Sequence, residues 1–206
     1  GKKWFEIYSW IWSNGGQVYD ERGNFVLDRN EKAKEALQYL YGLVKQGNIT
    51  YGGSLPQGQG ADAMFMSNQV GMVPGGRWLA PTFNENEHLE YDYIYWPSNT
   101  GEKFPQVGTT EAFLGVNADS EHKEAAKKFL SFYCSPAGQE ARTKNRGNSM
   151  PSVKGVDKEV LKGEPVDHPF YIIHARNNGI AYGNLRTFEG HVPGLQTEVA
   201  DIYDLM

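Results

Sequence analysis

The chain has 206 residues, a formal net charge of −5 and 22% charged residues, and it is long enough to bury a sizeable core as one domain or two. That charge gives no footing for a nucleic-acid or anionic-membrane partner, and no apolar run reaches the ~18 residues of a transmembrane helix. The lone cysteine, Cys134, excludes an internal disulfide and a cysteine-rich zinc site, while 5 Trp, 12 Tyr and 10 Phe supply rigid, amphipathic rings suited to stacking on flat, partly apolar ligands.

Gly1-Lys2-Lys3 leads into an aromatic amphipathic stretch rather than the apolar run and cleavage site of a secretory leader. The segment from Lys2 to Gly16 predicts a helix, with Trp4, Tyr8, Ile11 and Trp12 on one face and Gly15-Gly16 as the stop. Trp10 lies about 200° from Trp12 at ~100° per residue, so the two cannot face one core. Val18 and Phe25-Val26-Leu27, separated by Asp20-Glu21-Arg22-Gly23, predict a hairpin. The alternating ligands and distant Glu of an acidic metal loop are absent. From Asp28 to Gly47 the pattern predicts a helix capped by Asp28 or Asn30 and ended by Gly47. Its stripe is Ala33, Ala36, Leu37, Leu40, Leu43 and Val44.

A short helix follows from about Gln59 to Ser67, then a buried strand at Val70–Val73, then the turn Pro74-Gly75-Gly76-Arg77-Trp78. Alternation over Tyr91–Pro97 predicts a second strand, and Thr109–Ala118 a third. Ser120 caps a predicted helix over 121–135 with a buried apolar stripe, and Cys134 within it reads as a small core residue. Pro136 opens another helix, and helical pieces are expected at Lys158–Lys162, Pro169–Arg176 and Pro193–Leu205.

Taken in order, "SNGG" after the aromatic helix, "LVKQGNI", "VGMVPGGRW", "YDYIYWP", "VGTTEAFLGVNA", "EAAKKFLSFYCSPAGQEA" and "MPS" resemble the family 1 extracellular solute-binding proteins. These are maltose-binding-protein-like capture subunits of bacterial ABC importers, and the similarity runs to about Asp204. The resemblance implies an α/β fold of the type II periplasmic-binding kind, helix-rich with a mixed sheet. Residues 1–206 would correspond mostly to the C-terminal lobe of a two-lobed protein, and the segment about 97–118 would belong to the hinge or the other lobe. Leader and N-terminal lobe would then precede Gly1, and the surface facing the other lobe would show as an apolar or aromatic patch.

The resemblance also implies a site. Trp78 would stack on a sugar ring, with Gly76 and Gly75 permitting close approach of ligand and backbone; packing under Leu79–Phe83 is the alternative. Arg77 is either a forked hydrogen-bond donor to the ligand or a solvated surface arginine. Trp10 is assigned to the cleft and Trp12 to the core, and Asn14 to a helix C-cap. Thr110 and Glu111 match the segment that meets ligand, Glu111 as a two-hydroxyl acceptor or as a solvent-facing strand end. Tyr182, Asn184 and Arg186 match another approach to the cleft. The implied function is non-catalytic capture of an extracellular carbohydrate and delivery to the membrane subunits of an ABC importer. A monomer without cofactor or metal is expected, periplasmic or lipid-anchored.

Two other classes compete. Aromatics with carboxylates also suit a glycoside hydrolase, but no paired carboxylate motif stands out, and G-x-S-x-G, H-E-x-x-H and the phosphate-binding loop motif are missing. His88, His122, His168, His174 and His191 have no ligand spacing. A stand-alone carbohydrate-binding or interaction domain is the other; sugar modules of that kind are mostly β-sandwiches, and the helices argue against it.

Overall fold

The structure, a computed structural model, describes residues 4–50, 60–109, 114–144, 149–160, 162 and 179–181. The chain divides into two compact units: Gly1–Pro74, Ile94–Glu111 and Arg176–Met206 form the first, Gly75–Tyr93 and Ala112–Ala175 the second.

The first unit is organised around helix α1, Trp4–Ser13. Its sequence is apolar or small on most sides, and such a helix is buried. Ile7 and Ile11 are fully enclosed, and Tyr8, Ser9, Ser13 and even Glu6 are buried with them. The expected single stripe is therefore too narrow: Ile7 belongs to the core, whereas Trp12 packs only against its margin, edge-on to Tyr8 with ring centroids 5.4 Å apart. The helix stops as Gly15-Gly16 predict. Gly15 takes φ +76°, and the N–H groups of Gly15 and Gly16 close back on the carbonyls of Trp12 and Ile11 at 2.9 Å.

Gly16 has a second duty. A Cβ there would stand 2.8 Å from Ala33 N and 2.9 Å from Ile11 Cγ2, so its bare backbone lets the end of α1 lie on the start of the next helix. That helix, α2, spans Glu31–Lys45 and is capped by Asn30, whose side chain accepts from Ala33 N at 2.9 Å. Gly47 at φ +73° ends it, with Gly47 N and Asn48 N bonded to Val44 O and Leu43 O. Ala33, Ala36 and Leu40 form its buried face. Between the helices the chain makes a tight turn, with one antiparallel bridge, Tyr19 to Phe25. Asp20 holds this turn by accepting from the N–H groups of Arg22 and Asn24 and from Asn24 Nδ2. It is a turn and not a metal loop.

Helix α3, Ala61–Met66, precedes the glycine turn; Ser67 is its C-cap, and Asn68 follows at φ 57°. Strand β1, Val107–Thr109, pairs in parallel with β2, Gly179–Ala181, in the register Val107 to Gly179. α1 covers β1, and Gly108 N donates to the buried Ser9 Oγ at 2.9 Å. Among the described residues this two-stranded ladder is all the sheet there is. Val70–Val73 is not a strand, and Met72 is 80% exposed; with no neighbouring strand to complete a ladder, an apolar run does not become one. Tyr91–Pro97 likewise forms no ladder with another described segment, although its alternation survives as half-buried tyrosines between exposed Asp92 and Ile94. Leu114 is exposed, and the described part of the expected third strand beyond β1 is irregular.

In the second unit a 3₁₀ turn, Arg77–Leu79, leads into α4, Ala80–Glu85, which buries Phe83 edge-on to Tyr91 at 5.2 Å. Helix α5, Lys123–Tyr133, starts after Ser120, whose Oγ accepts from His122 N rather than capping the helix itself. Helix α6, Pro136–Thr143, is capped by Ser135 and abuts α5 so closely that a Cβ at Gly138 would collide with Phe132 O. Buried Gln139 ties the unit together, donating to Tyr133 O and accepting from Ser152 N and Oγ. Helix α7, Val156–Val160, begins two residues ahead of the expected Lys158. The stripe of α5 is not buried: Phe129 and Phe132 are 60% and 57% exposed, and Cys134 is exposed rather than core. α6 packs on one side of α5, and no described element covers the aromatic side. The helices expected at Pro169–Arg176 and Pro193–Leu205 lie outside the described residues.

Candidate ligand-binding site

The glycine turn explains itself by what lies over it. Gly76 is extended, φ −136° and ψ 179°, and accepts from Leu79 N at 3.0 Å to start the 3₁₀ turn. The Trp78 indole folds back across Gly76, and a Cβ at Gly76 would collide with its six-membered ring. At Gly75 a Cβ would meet Leu79 Cδ1 at 2.5 Å. The two glycines thus make room for the side chains that follow them. Trp78 is half-buried, neither sunk in a core nor fully displayed. Arg77 is 8% exposed, which corrects the reading of it as a solvated surface arginine. Thr110, Glu111, Tyr182, Asn184 and Arg186 lie outside the described residues.

Trp10 stands in the first unit. α1 turns it away from Tyr8 and Trp12 and sets it against Tyr39 of α2, centroids 5.9 Å apart, and edge-on to Trp96 at 5.2 Å. Trp96 Nε1 is buried and meets no partner among the described residues. Beside Trp10 runs a groove of about 360 Å³ whose far walls are Glu35, Tyr39 and the loop Pro97–Asn99. Its polar groups are fixed by one another. Asn14 donates to Lys32 O at 2.8 Å and to Glu35 Oε2 at 3.2 Å, and accepts from Asn99 Nδ2 at 2.8 Å. Lys32 Nζ also reaches Glu35 Oε2 at 2.8 Å. These bonds from Lys32 first, then Asn14, hold the Glu35 carboxyl below its ordinary range. Ser98 Oγ and Asn99 N both donate to Ser13 O, the free carbonyl at the end of α1.

Asn14 therefore occupies the C-terminal position expected of a cap, yet its side chain spans to α2 and the loop instead. Glu35, Tyr39, Ser98 and Asn99 were not legible as a group, because their proximity is long-range. The one local signal is Glu35 and Tyr39 at i, i+4, a carboxylate and an exposed ring on one helix face. Among the described residues there is no cluster of His, Cys, Asp and Glu able to hold a metal ion, and no helix long and apolar enough to cross a membrane.

Residues 1–166 match the family model described as bacterial extracellular solute-binding protein. The chain belongs to that family. A protein of known structure has a similar fold: the ABC substrate-binding protein Lmo0181 from Listeria monocytogenes in complex with cycloalternan. It is 21% identical with a TM-score of 0.74, and the match covers 99% of this chain and 52% of that one. The chain thus spans about half the length of the solute-binding protein it matches. The helix-rich architecture with little sheet fits part of a type II periplasmic-binding fold.

Proposed function

We propose that this chain is the C-terminal portion of a two-lobed solute-binding protein that captures a carbohydrate outside the cytoplasmic membrane and delivers it, without catalysis, to an ABC importer. The observation that carries the reading is the family match over residues 1–166. The similar Listeria protein holds a carbohydrate, cycloalternan, which supports a sugar as the ligand class. In this reading the protein is a monomer, free in a periplasm or held by a lipid anchor, and the segment about 97–118 belongs to the hinge or the other lobe. Trp78 is the stacking platform: a half-buried indole keeps one face for the C–H side of a pyranose while its other face rests on Gly76. Arg77, Trp10, Thr110, Glu111, Tyr182 and Asn184 are the remaining ligand contacts of this proposal.

The test pairs calorimetric titration against a panel of mono- and oligosaccharides with denaturant unfolding. Trp78→Ala is expected to weaken sugar binding by about 1–3 kcal/mol, a tenfold to hundredfold rise in Kd, with stability nearly unchanged. A loss of about 3–5 kcal/mol in stability with unaltered affinity would make Trp78 a core residue instead. Turnover of an oligosaccharide would overturn the non-catalytic reading.

A further inference from the structure

We propose that Asn14-Gly15 is a covalent modification site, an isoaspartate-forming pair that the fold keeps closed and whose conversion cuts the tie between the end of α1 and α2. The proposal rests on the chemistry of this pair and on its hydrogen bonds, and it stands whatever ligand the protein takes.

Asparagine is a chemically labile side chain, and before glycine it cyclises most readily because no Cβ obstructs ring closure. The Gly15 nitrogen attacks Asn14 Cγ. A bond from that nitrogen to Cγ forms, the Cγ–Nδ2 bond breaks, and Nδ2 leaves as ammonia with the proton that the Gly15 nitrogen gave up. The product is a five-membered succinimide. Water then opens it at either carbonyl: cleavage at Cγ gives aspartate, and cleavage at the main-chain carbon gives isoaspartate. No oxidant, reductant or cofactor takes part. Asn14 is half-buried and Gly15 exposed, so water reaches the ring.

In the folded chain both reacting groups are engaged elsewhere. Gly15 N–H donates to Trp12 O at 2.9 Å, in the turn that ends α1. Asn14 Nδ2 donates to Lys32 O at 2.8 Å and to Glu35 Oε2 at 3.2 Å, and its Oδ1 accepts from Asn99 Nδ2 at 2.8 Å. The amide is thus drawn away from its own backbone toward α2 and the loop. Turning Cγ onto the Gly15 nitrogen requires these bonds to break together, which is a local opening of the end of α1.

Conversion cannot be undone by refolding. A carboxylate at position 14 accepts and does not donate, so Lys32 O and Glu35 lose their partner. It also sets a second negative charge beside Glu35. Isoaspartate adds a main-chain carbon where Gly15 N and Gly16 N close on Trp12 O and Ile11 O.

The test is peptide mapping by mass spectrometry of the chain aged at mildly alkaline pH, with and without urea, with isoaspartate counted by enzymatic methylation. In urea Asn14 should convert alongside Asn178, which also precedes a glycine and serves as the reference for the unfolded chain. In the folded chain Asn14 should convert about tenfold or more slowly, because reaction waits on opening. Asn99→Ala and Glu35→Ala, both at exposed positions, each remove one tie and should raise the folded-state rate several-fold while leaving the rate in urea unchanged. In Asn14→Asp, hydrogen exchange at the buried Gly16 N–H should quicken several-fold. Equal rates at Asn14 with and without urea overturn the proposal, as does an Asn14 that stays intact in urea while Asn178 converts. A folded-state rate that neither alanine variant raises overturns the lock, and unchanged exchange at Gly16 in Asn14→Asp overturns the loss of the tie.

Discussion

The side chains of Asn14 and Asn99, 85 residues apart, meet in a 2.8 Å hydrogen bond that ties the end of α1 to the loop after Tyr91–Pro97. Asn14 makes two further bonds, to Lys32 O and Glu35 Oε2, so one amide fixes three segments. Asn14→Ala removes all three. The site is open to water, which takes over the abandoned groups, so a cost of about 1–2 kcal/mol is expected rather than the full sum. Urea unfolding of the variant measures it. A loss below a few tenths would mean that the network does not hold the loop.

Gly16 carries the approach of α1 to α2. Gly16→Ala places a methyl against Ala33 N, Ala33 Cα and Ile11 Cγ2 at 2.8–3.0 Å, and two of these contacts are backbone that no side-chain rotation relieves. A destabilisation of about 1–3 kcal/mol follows from overpacking. At Gly42, where a Cβ meets nothing, the same substitution is expected to be neutral or to stabilise the middle of α2. Thermal unfolding should show Gly16→Ala melting lower than the native chain and Gly42→Ala melting no lower.

The Asp20 turn should be sensitive to acid. The side-chain bond from Asn24, then the backbone bonds from Asn24 and Arg22, hold the Asp20 carboxyl below its ordinary pKa. A carboxyl lowered on folding adds stability above its unfolded pKa and loses it as pH falls through the folded value. The advantage of the native chain over Asp20→Asn should therefore be present near neutral pH and fade below about pH 4. Denaturation midpoints of both proteins across that range check the sign. An advantage that grows in acid would reverse it.

Much of the fold was readable because its signals are local. Asn30 capping α2, Gly15 and Gly47 ending their helices and Pro136 opening α6 each depend on a few neighbouring residues, so sequence alone determined them. The divergence of Trp10 from Trp12 follows equally from helical geometry. The ordered motifs carried the family as well. Tertiary structure decided what local pattern does not contain. Val70–Val73 and Tyr91–Pro97 have strand-like sequences, but a strand exists only where another chain segment supplies its hydrogen bonds, and here none of the described segments does. Phe129, Phe132 and Cys134 form an apolar stripe, yet burial requires a covering element, which periodicity cannot provide. The groove at Trp10 belongs to the same class. Asn14, Glu35, Tyr39 and Asn99 acquire a joint meaning only when the packing of α1 on α2 and the return of the loop bring their polar groups within hydrogen-bonding distance.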